Sequence, residues 1–441
     1  MAIRTPRGAS RTSSRGADAR AHVGRRVTRG QRLPPHSAAF TLLLGSLVTL
    51  AAFATDMALP VLAETAASLG VTPGTASLSL SVFMAGFALG PLAVGPISDH
   101  VGRRRPLLVA CAAFAVFGAF GAFSRSFGAL LLWRVLMGIG AGACSVLVVA
   151  IVRDLFTGTE ARVKQSYVNL AAGVAPVVAP SLGAAIAALG GWRAIYGALA
   201  AGGVLLLAAA AFGLGESRPR ADARRRPGAR DVLASYARVL RHRVSVGYTL
   251  VVAFAFGCLF AYVSGSSLVL IGVLGVSRRV YGLLFACTAL GLMIGAFANA
   301  RLSRRGVPHG RLITWGLVAA VGSALILLVL TVTGAVRVAT LVPLAVIGFV
   351  GQGIVRPNAV QGALEPLPEI AGVASAVLSG VQMLAGALAS ALVGALFDGR
   401  SALAMTSVMA LSASAAAAVY AWMVRPAEGA RGVVRAPPRA A

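Results

Sequence analysis

Asp56 is the first candidate for proton chemistry in this chain. It stands in Ala54-Thr-Asp-Met-Ala-Leu-Pro60, close to the end of an apolar run that begins at residue 39. Holding an ionised side chain in oil is expensive, so an acid in that setting takes up a proton more readily than one in water. Thr55 and Pro60 would loosen the helix locally and admit water to the carboxyl. The plainer alternative puts Asp56 at a membrane boundary, where it caps the helix or meets solvent. Arg134 is the cationic counterpart, one turn inside the run Leu131-Leu-Trp-Arg-Val-Leu-Met-Gly138-Ile-Gly140-Ala-Gly142. Lipid cannot satisfy five guanidinium donors, so Arg134 must face a polar interior, an acid or a backbone carbonyl. Otherwise it snorkels to the interface with Trp133 as its belt residue. Both residues fall near the same membrane face, which makes electrostatic coupling between them part of the expectation.

A second constellation is the turn Gly95-Pro-Ile-Ser-Asp-His-Val-Gly-Arg-Arg-Arg-Pro106, charged and short between two long apolar runs. Asp99 precedes Arg103 by four residues, the spacing that brings carboxylate and guanidinium to one side of a helical turn. Gly102 lets the chain reverse, Arg104 extends the cationic end, and Pro106 suits the first position of the next helix. A short charged turn of this kind, caught between two apolar runs, reads as a hairpin held at a membrane face.

Other polar or adaptable residues inside apolar runs are candidates for contact with a small molecule. They are the amides Asn169, Asn358 and Gln382, together with Phe83, Met84 and Tyr262, which could form an apolar wall accepting varied shapes. Ordinary interhelical hydrogen bonding or core packing is the alternative for each. Arg356, beside Pro357, either closes a gate or pairs with a nearby acid such as Glu365 or Glu369. Gly138 and Gly142, at four-residue spacing, allow a neighbouring helix to approach closely, and Pro180 bends its own helix. Cys111, Cys144, Cys258 and Cys287 lie in apolar runs without CxxC spacing and read as small core residues. No HExxH, CxxC or phosphate-binding loop occurs, and all five histidines lie in tails or loops. An enzyme is therefore disfavoured, and neither a metal nor a cofactor is expected.

The elements that must position these groups are membrane helices. Of the 441 residues, 58% are hydrophobic and only 12% charged, too apolar for an ordinary soluble core. Runs of about 20 apolar residues, the length that crosses a hydrocarbon core, recur twelve times. The spans read 39–60, 75–98, 107–124, 128–152, 164–189 and 192–214, then 244–272, 277–300, 310–334, 337–362, 370–397 and 401–424. Long alternating strands are absent, which excludes a lipid-facing barrel.

The net charge of +27 is distributed in a way that argues for lipid and against nucleic acid. Arginines cluster in every second connection, and the positive-inside rule then puts both termini in the cytoplasm. The expected organisation is a disordered Arg-rich cytoplasmic tail at 1–37, a six-helix half at 38–215, a cytoplasmic linker at 216–243, a second six-helix half at 244–425 and a tail at 426–441. Gly95 to Asp99 followed by Arg104 and Arg105 has an apparent echo in Gly295 to Asn299 followed by Arg304 and Arg305, which points to duplication.

Several stretches together resemble the Bcr/CflA group of drug-resistance exporters, within the drug:proton antiporters of the major facilitator superfamily. They are Thr55-Asp-Met57 with Leu59-Pro60, the turn at 95–106, Arg134 with its glycines, Ala179-Pro180, Phe260-Ala-Tyr-Val-Ser264, and Pro357-Asn358 followed by Ala371-Gly-Val-Ala-Ser375. The likeness covers almost the whole chain except the tails. It implies an all-α major facilitator fold of about twelve transmembrane helices in two pseudo-symmetric halves. It also implies proton-coupled export of small amphipathic drugs from a monomer in the cytoplasmic membrane, energised by the proton gradient. By the same resemblance Asp56 and Arg134 couple protons, while Asp99 and the arginines after it govern switching. Two departures stand out: Ser166, Ala175, Ala179 and Ala184 replace glycines of the antiporter motif, and Ser267 stands where proline is frequent. An uptake symporter on the same fold is the alternative.

Overall fold

The structure is a computed structural model, and it describes residues 33–217 and 229–427. Among the described residues every regular element is helical. The first half comprises α1 (Ala38–Asp56), the short α2 (Leu62–Ser68), α3 (Pro73–Val101), α4 (Arg104–Ala122), α5 (Phe127–Leu155) and α6 (Gly158–Gly213). After α7 (Ala229–Arg241), the second half comprises α8 (Arg243–Ser267), α9 (Arg278–Arg304), α10 (His309–Val332), α11 (Val338–Leu364), α12 (Ala371–Leu396) and α13 (Leu403–Val419).

Eleven segments are long and apolar enough to cross a bilayer, and α6 accounts for two crossings. Its 56 residues would extend about 84 Å if unbroken, far beyond a hydrocarbon core of about 30 Å. The break falls at Gly190 and Gly191, whose backbone leaves the helical region. Gly191 has φ +66, and a Cβ there would lie 2.5 Å from Glu64 Oε1, so both conformation and space require glycine. Twelve crossings result, and the two ends of the described chain emerge on the same face, here the terminal face. The opposite face is distal.

Local chemistry sets the ends of the helices. Thr72, Ser126 and Ser277 each accept a hydrogen bond from a backbone N–H three residues on, at 3.1, 3.3 and 3.4 Å. Each such cap is worth about 1 kcal/mol. At the distal turn after α12, Asp398 accepts from the Arg400 and Ser401 N–H groups, both at 2.9 Å. Large apolar side chains such as Leu42, Val109, Leu189, Phe212 and Val318 remain exposed around the molecule, the belt that lipid tails would cover.

The packing repeats between halves. α3 lies on α5 as α9 lies on α11, α1 on α6 as α8 on α12, and α4 on α6 as α10 on α13. The halves join along α3 with α12 and along α6 with α9. Glycines set the intra-half register: a Cβ on Gly142 would strike the Phe87 carbonyl, and one on Gly353 the Leu292 carbonyl. Likewise Gly90 meets Ile139 and Gly295 meets Val350. Gly295 is therefore the counterpart of Gly90, so the sequence echo that aligns it with Gly95 is out of register. Asn299 is accordingly no replacement for Asp99.

One domain boundary shifts, and the linker proves to hold a helix. Residues 33–37, assigned to a disordered tail, are docked: the Leu33 N–H donates to the Gly213 carbonyl at 3.2 Å, and Ser37 caps α1. The linker expected at 216–243 contains α7, whose Val239 is buried against Leu367 and Ala374. The remaining tail residues 1–32 and 428–441, and linker residues 218–228, lie outside the described residues.

Candidate functional site

The halves meet closely at the distal face. A Cβ on Gly74 would strike the Gly394 carbonyl, and one on Gly282 would fall 2.6 Å from Ser181 Oγ. Arg278 Nη1 reaches Glu64 Oε2 at 2.7 Å from the other half, while Glu64 Oε1 accepts from the Trp192 N–H at 3.0 Å. Toward the terminal face the same helices separate. Gly95, Gly173, Gly372 and Gly380 have open space where a Cβ would stand, and Ile97, Tyr167 and Leu170 are exposed. The arrangement is a central cleft, sealed distally and open on the terminal side.

Asp56 lies at the sealed end. It closes α1, where the helix gives way to the turn at Leu59–Val61 that touches both α8 and α9 of the second half. Asp56 is 4% exposed, and Thr55 Oγ1 donates to its Oδ1 at 2.9 Å. The Tyr281 hydroxyl, from the second half, stands within electrostatic range and is hydrogen-bonded to Ser266 Oγ at 2.9 Å. Gly183, on α6, brings that helix directly against the Met57 carbonyl.

Arg134 is fully buried. It donates from Nη1 to the Ala54 carbonyl at 2.7 Å and from Nε to the Ser79 carbonyl at 3.0 Å. The guanidinium carbon lies 4.5 Å from the Phe83 ring centroid and 5.8 Å from that of Tyr196. Its Nη2 has no hydrogen-bond partner. The expected electrostatic pair with Asp56 is not an ion pair in this conformation. Arg134 instead clamps the backbone two residues from the acid: Ala54 lies in the last turn of α1, where carbonyls lack an intrahelical donor, and the planar fork also reaches Ser79 within α3.

The other candidates distribute unevenly. Phe83 supports Arg134, and Met84, one residue on, enters a cross-half cluster with Phe256 and Ala387. Gln382 is buried on α12. Tyr262 is enclosed by Phe349 and Phe285, with ring centroids 5.0 and 6.1 Å away. Asn358 donates to Asn299 Oδ1 at 2.6 Å and to the Ile354 carbonyl at 2.8 Å, so its amide holds α11 to α9. Asn169 is exposed and accepts from Gln165 at 3.1 Å, within its own helix. Gly138 lies against the Phe83 carbonyl as Gly142 does against Phe87, and Pro180 is buried within α6. Cys287 is exposed, unlike the other three cysteines.

At the terminal face the charged turn forms a knot. Arg103 pairs with Asp99 at 2.8 Å and with Asp154 of α5 at 2.9 Å, and donates to Ser98 Oγ at 2.6 Å. Arg104 donates to the Leu214 and Ala211 carbonyls at 2.8 and 2.6 Å, capping the end of α6. Glu216 returns the favour at the start of α4, accepting from the Arg103 and Arg104 N–H groups at 2.7 and 3.2 Å. Gly102, at φ +93, leaves the space that this carboxylate occupies. α4 begins at Arg104, so Pro106 falls within its first turn and not at its first residue. Asp154, Glu216, Glu64 and Tyr281 are the functional groups the sequence reading missed. The first three lie at run ends, where a carboxylate reads as ordinary solvent-facing polarity.

Residues 44–390 match the Major Facilitator Superfamily. The chain is 35% identical over 359 residues to the uncharacterised MFS-type transporter YdgK of Bacillus subtilis, covering 81% of this chain and 88% of that one. It is 30% identical over 357 residues to a bicyclomycin resistance protein homolog of Haemophilus influenzae, covering 80% and 88%. Among solved structures, a POT family transporter in complex with 5-aminolevulinic acid aligns with a TM-score of 0.68 at 14% identity, over 88% of this chain and 96% of that one.

Proposed function

The chain belongs to the major facilitator superfamily, on its drug-resistance branch, and from that premise we propose that it exports small amphipathic drugs across the cytoplasmic membrane in exchange for protons. The observation that carries the reading is a buried carboxylate, Asp56, at the sealed end of a two-half cleft. The arginine clusters at the terminal face support a cytoplasmic assignment for that face, so the cleft corresponds to an inward-open state.

Cargo enters from the cytoplasm while Asp56 is ionised. Rocking of the halves opens the distal seam, and protonation of Asp56 from outside removes a charge from the cleft and favours release. Closure then returns the proton to the cytoplasm. Arg134 holds the end of α1 throughout, so a change at Asp56 reaches α3 and α5 through the Ala54 carbonyl. The knot of Asp99, Gly102, Arg103 and Arg104 resets on the terminal side. Exchange of one proton for a monocation uses only the pH gradient, whereas export of a neutral drug also uses the potential, about 2.3 kcal/mol per charge per 100 mV.

The test is a drug-susceptibility panel, bicyclomycin and chloramphenicol included, in a host lacking its own exporters, with everted vesicles alongside. Wild type should confer resistance and accumulate drug in everted vesicles when the lumen is acidified, and Asp56→Asn should do neither. Equal resistance in both would remove Asp56 from coupling, and accumulation in right-side-out vesicles alone would make the protein an importer.

A further inference from the structure

Beside the seam between the halves stands a second intramembrane cation, and no acid answers it. Arg356 lies on α11 and is partly buried, with its guanidinium carbon 5.5 Å from the Phe256 ring centroid on α8. Among the described residues no carboxylate pairs with it and no hydrogen bond occupies it. The sequence expectation that Arg356 pairs with a nearby acid is not met: Glu369 instead lies 3.6 Å from Arg238.

The ring beside the guanidinium belongs to a cluster of aromatic and thioether side chains. Phe256 stacks obliquely on Phe260, with centroids 4.6 Å apart. Met84 reaches Phe256 from the first half, and Met383 of α12 packs against the same cluster, partly buried. Gly386 makes room for this convergence, since a Cβ there would sit 2.7 Å from Met84 Cε and 2.9 Å from Phe256 Cδ1. α8, α11, α12 and α3 thus contribute to one patch, and the patch spans both halves. A charge held in a membrane protein without a counter-charge is costly, and the cost falls when an anion completes the pair. A planar guanidinium is suited to bidentate contact with a carboxylate or sulfonate. Flat rings and flexible thioethers accommodate an arene of unspecified outline.

Resting on the export reading, we propose that Arg356, Phe256, Phe260, Met84 and Met383 form a cargo subsite for an aromatic anion, with the guanidinium holding the carboxylate or sulfonate and the rings and thioethers holding the arene. The subsite makes the protein select against aromatic cations, which Arg356 repels, and tolerate neutral arenes.

Three probes share one ring system and differ in charge: 1-naphthoate, 1-naphthamide and the 1-naphthylmethylammonium ion. Equilibrium binding of each to the full chain in lipid nanodiscs should rank them in that order, with naphthoate about tenfold tighter than naphthamide. Arg356→Gln should erase that difference while leaving naphthamide binding intact, which also reports a folded cleft. Arg356→Lys should keep part of the preference, since charge persists without the planar fork. No preference for naphthoate in wild type, or a preference unchanged in Arg356→Gln, would overturn the subsite. If Arg356→Gln fails to bind naphthamide, Phe256→Leu takes its place, and it should weaken naphthoate and naphthamide equally; unaltered binding would overturn the proposal. Binding is read without transport. A chain that prefers naphthoate yet moves no drug in vesicles sinks the export reading alone, and one that exports neutral drugs without any charge preference sinks the subsite alone.

Discussion

Arg134 Nη1 donates to the Ala54 carbonyl at 2.7 Å, and this one bond ties the start of α5 to the end of α1 beside Asp56. Because Nε of the same guanidinium holds Ser79 of α3, three helices depend on a single planar group. Lysine offers three donors from one point and cannot span two carbonyls in that geometry. Arg134→Lys should therefore lose most drug export while keeping the protein in the membrane. Arg134→Leu should also lower thermal stability, by about 3 kcal/mol or more, since burying carbonyls without donors carries the full desolvation cost. Susceptibility assays and detergent melting curves separate the two effects.

The glycine register between α3 and α5, repeated between α9 and α11, predicts a matched pair of defects. Gly142 and Gly353 each face a carbonyl of the partner helix so closely that no side chain fits without moving backbone. Overpacking of this kind costs about 1–3 kcal/mol. Gly142→Val and Gly353→Val should lower the melting temperature by similar amounts, each in its own half. Gly95→Val, with open space around it, should leave stability close to wild type. A large loss at Gly95 would argue against the register assigned here.

Much of this arrangement was legible in the chain because oil imposes simple rules. The length of apolar runs gave twelve crossings, including the two that α6 joins across Gly190 and Gly191, since a span that long must break. Asp56 and Arg134 stood out because charge in an apolar run demands a reason. What could not be read was partnership. Arg134 contacts Ala54 and Ser79 through backbone carbonyls, which every residue carries and no sequence pattern marks. Glu216 accepts from the Arg103 N–H over a hundred positions away, and the internal repeat was misaligned because small residues recur too often in membrane helices to fix a register by identity alone. The part played by Asn358 was hidden for a related reason: it is a polar residue in a run, and only its neighbour Asn299 shows that its side chain ties α11 to α9.

Asp398, at the distal turn between α12 and α13, offers a pH-dependent check outside the membrane. Backbone N–H groups of Arg400 and Ser401, with the Ser401 hydroxyl, hold its carboxyl below the usual aspartate range. A carboxylate favoured in the folded state stabilises the fold above its unfolded pKa and loses that contribution as pH falls through its folded pKa. Asp398→Ala should therefore melt below wild type at neutral pH, and the gap should close in acid, below about pH 4. A gap that is the same at both pH values would assign the turn's stability to packing instead.

Glu64 joins three parts of the distal seal: its own segment after α1, the break in α6 at Trp192, and the start of α9 at Arg278. The pair with Arg278 is partly solvent-exposed, with side chains 29% and 43% accessible, so its share of the closure energy is about 0–1 kcal/mol. A neutral Glu64→Gln keeps an acceptor for the Trp192 N–H while removing the charge that crosses the seam. Distal opening should then rise by up to about fivefold. A cysteine at Ser181, which faces Gly282 across the same seam, reports the change through its labelling rate with a membrane-impermeant maleimide. Arg278→Gln should raise that rate by the same factor, and the double variant should add nothing further. Additive increases would mean that the two side chains act on the seal independently and that the 2.7 Å contact does not hold it shut.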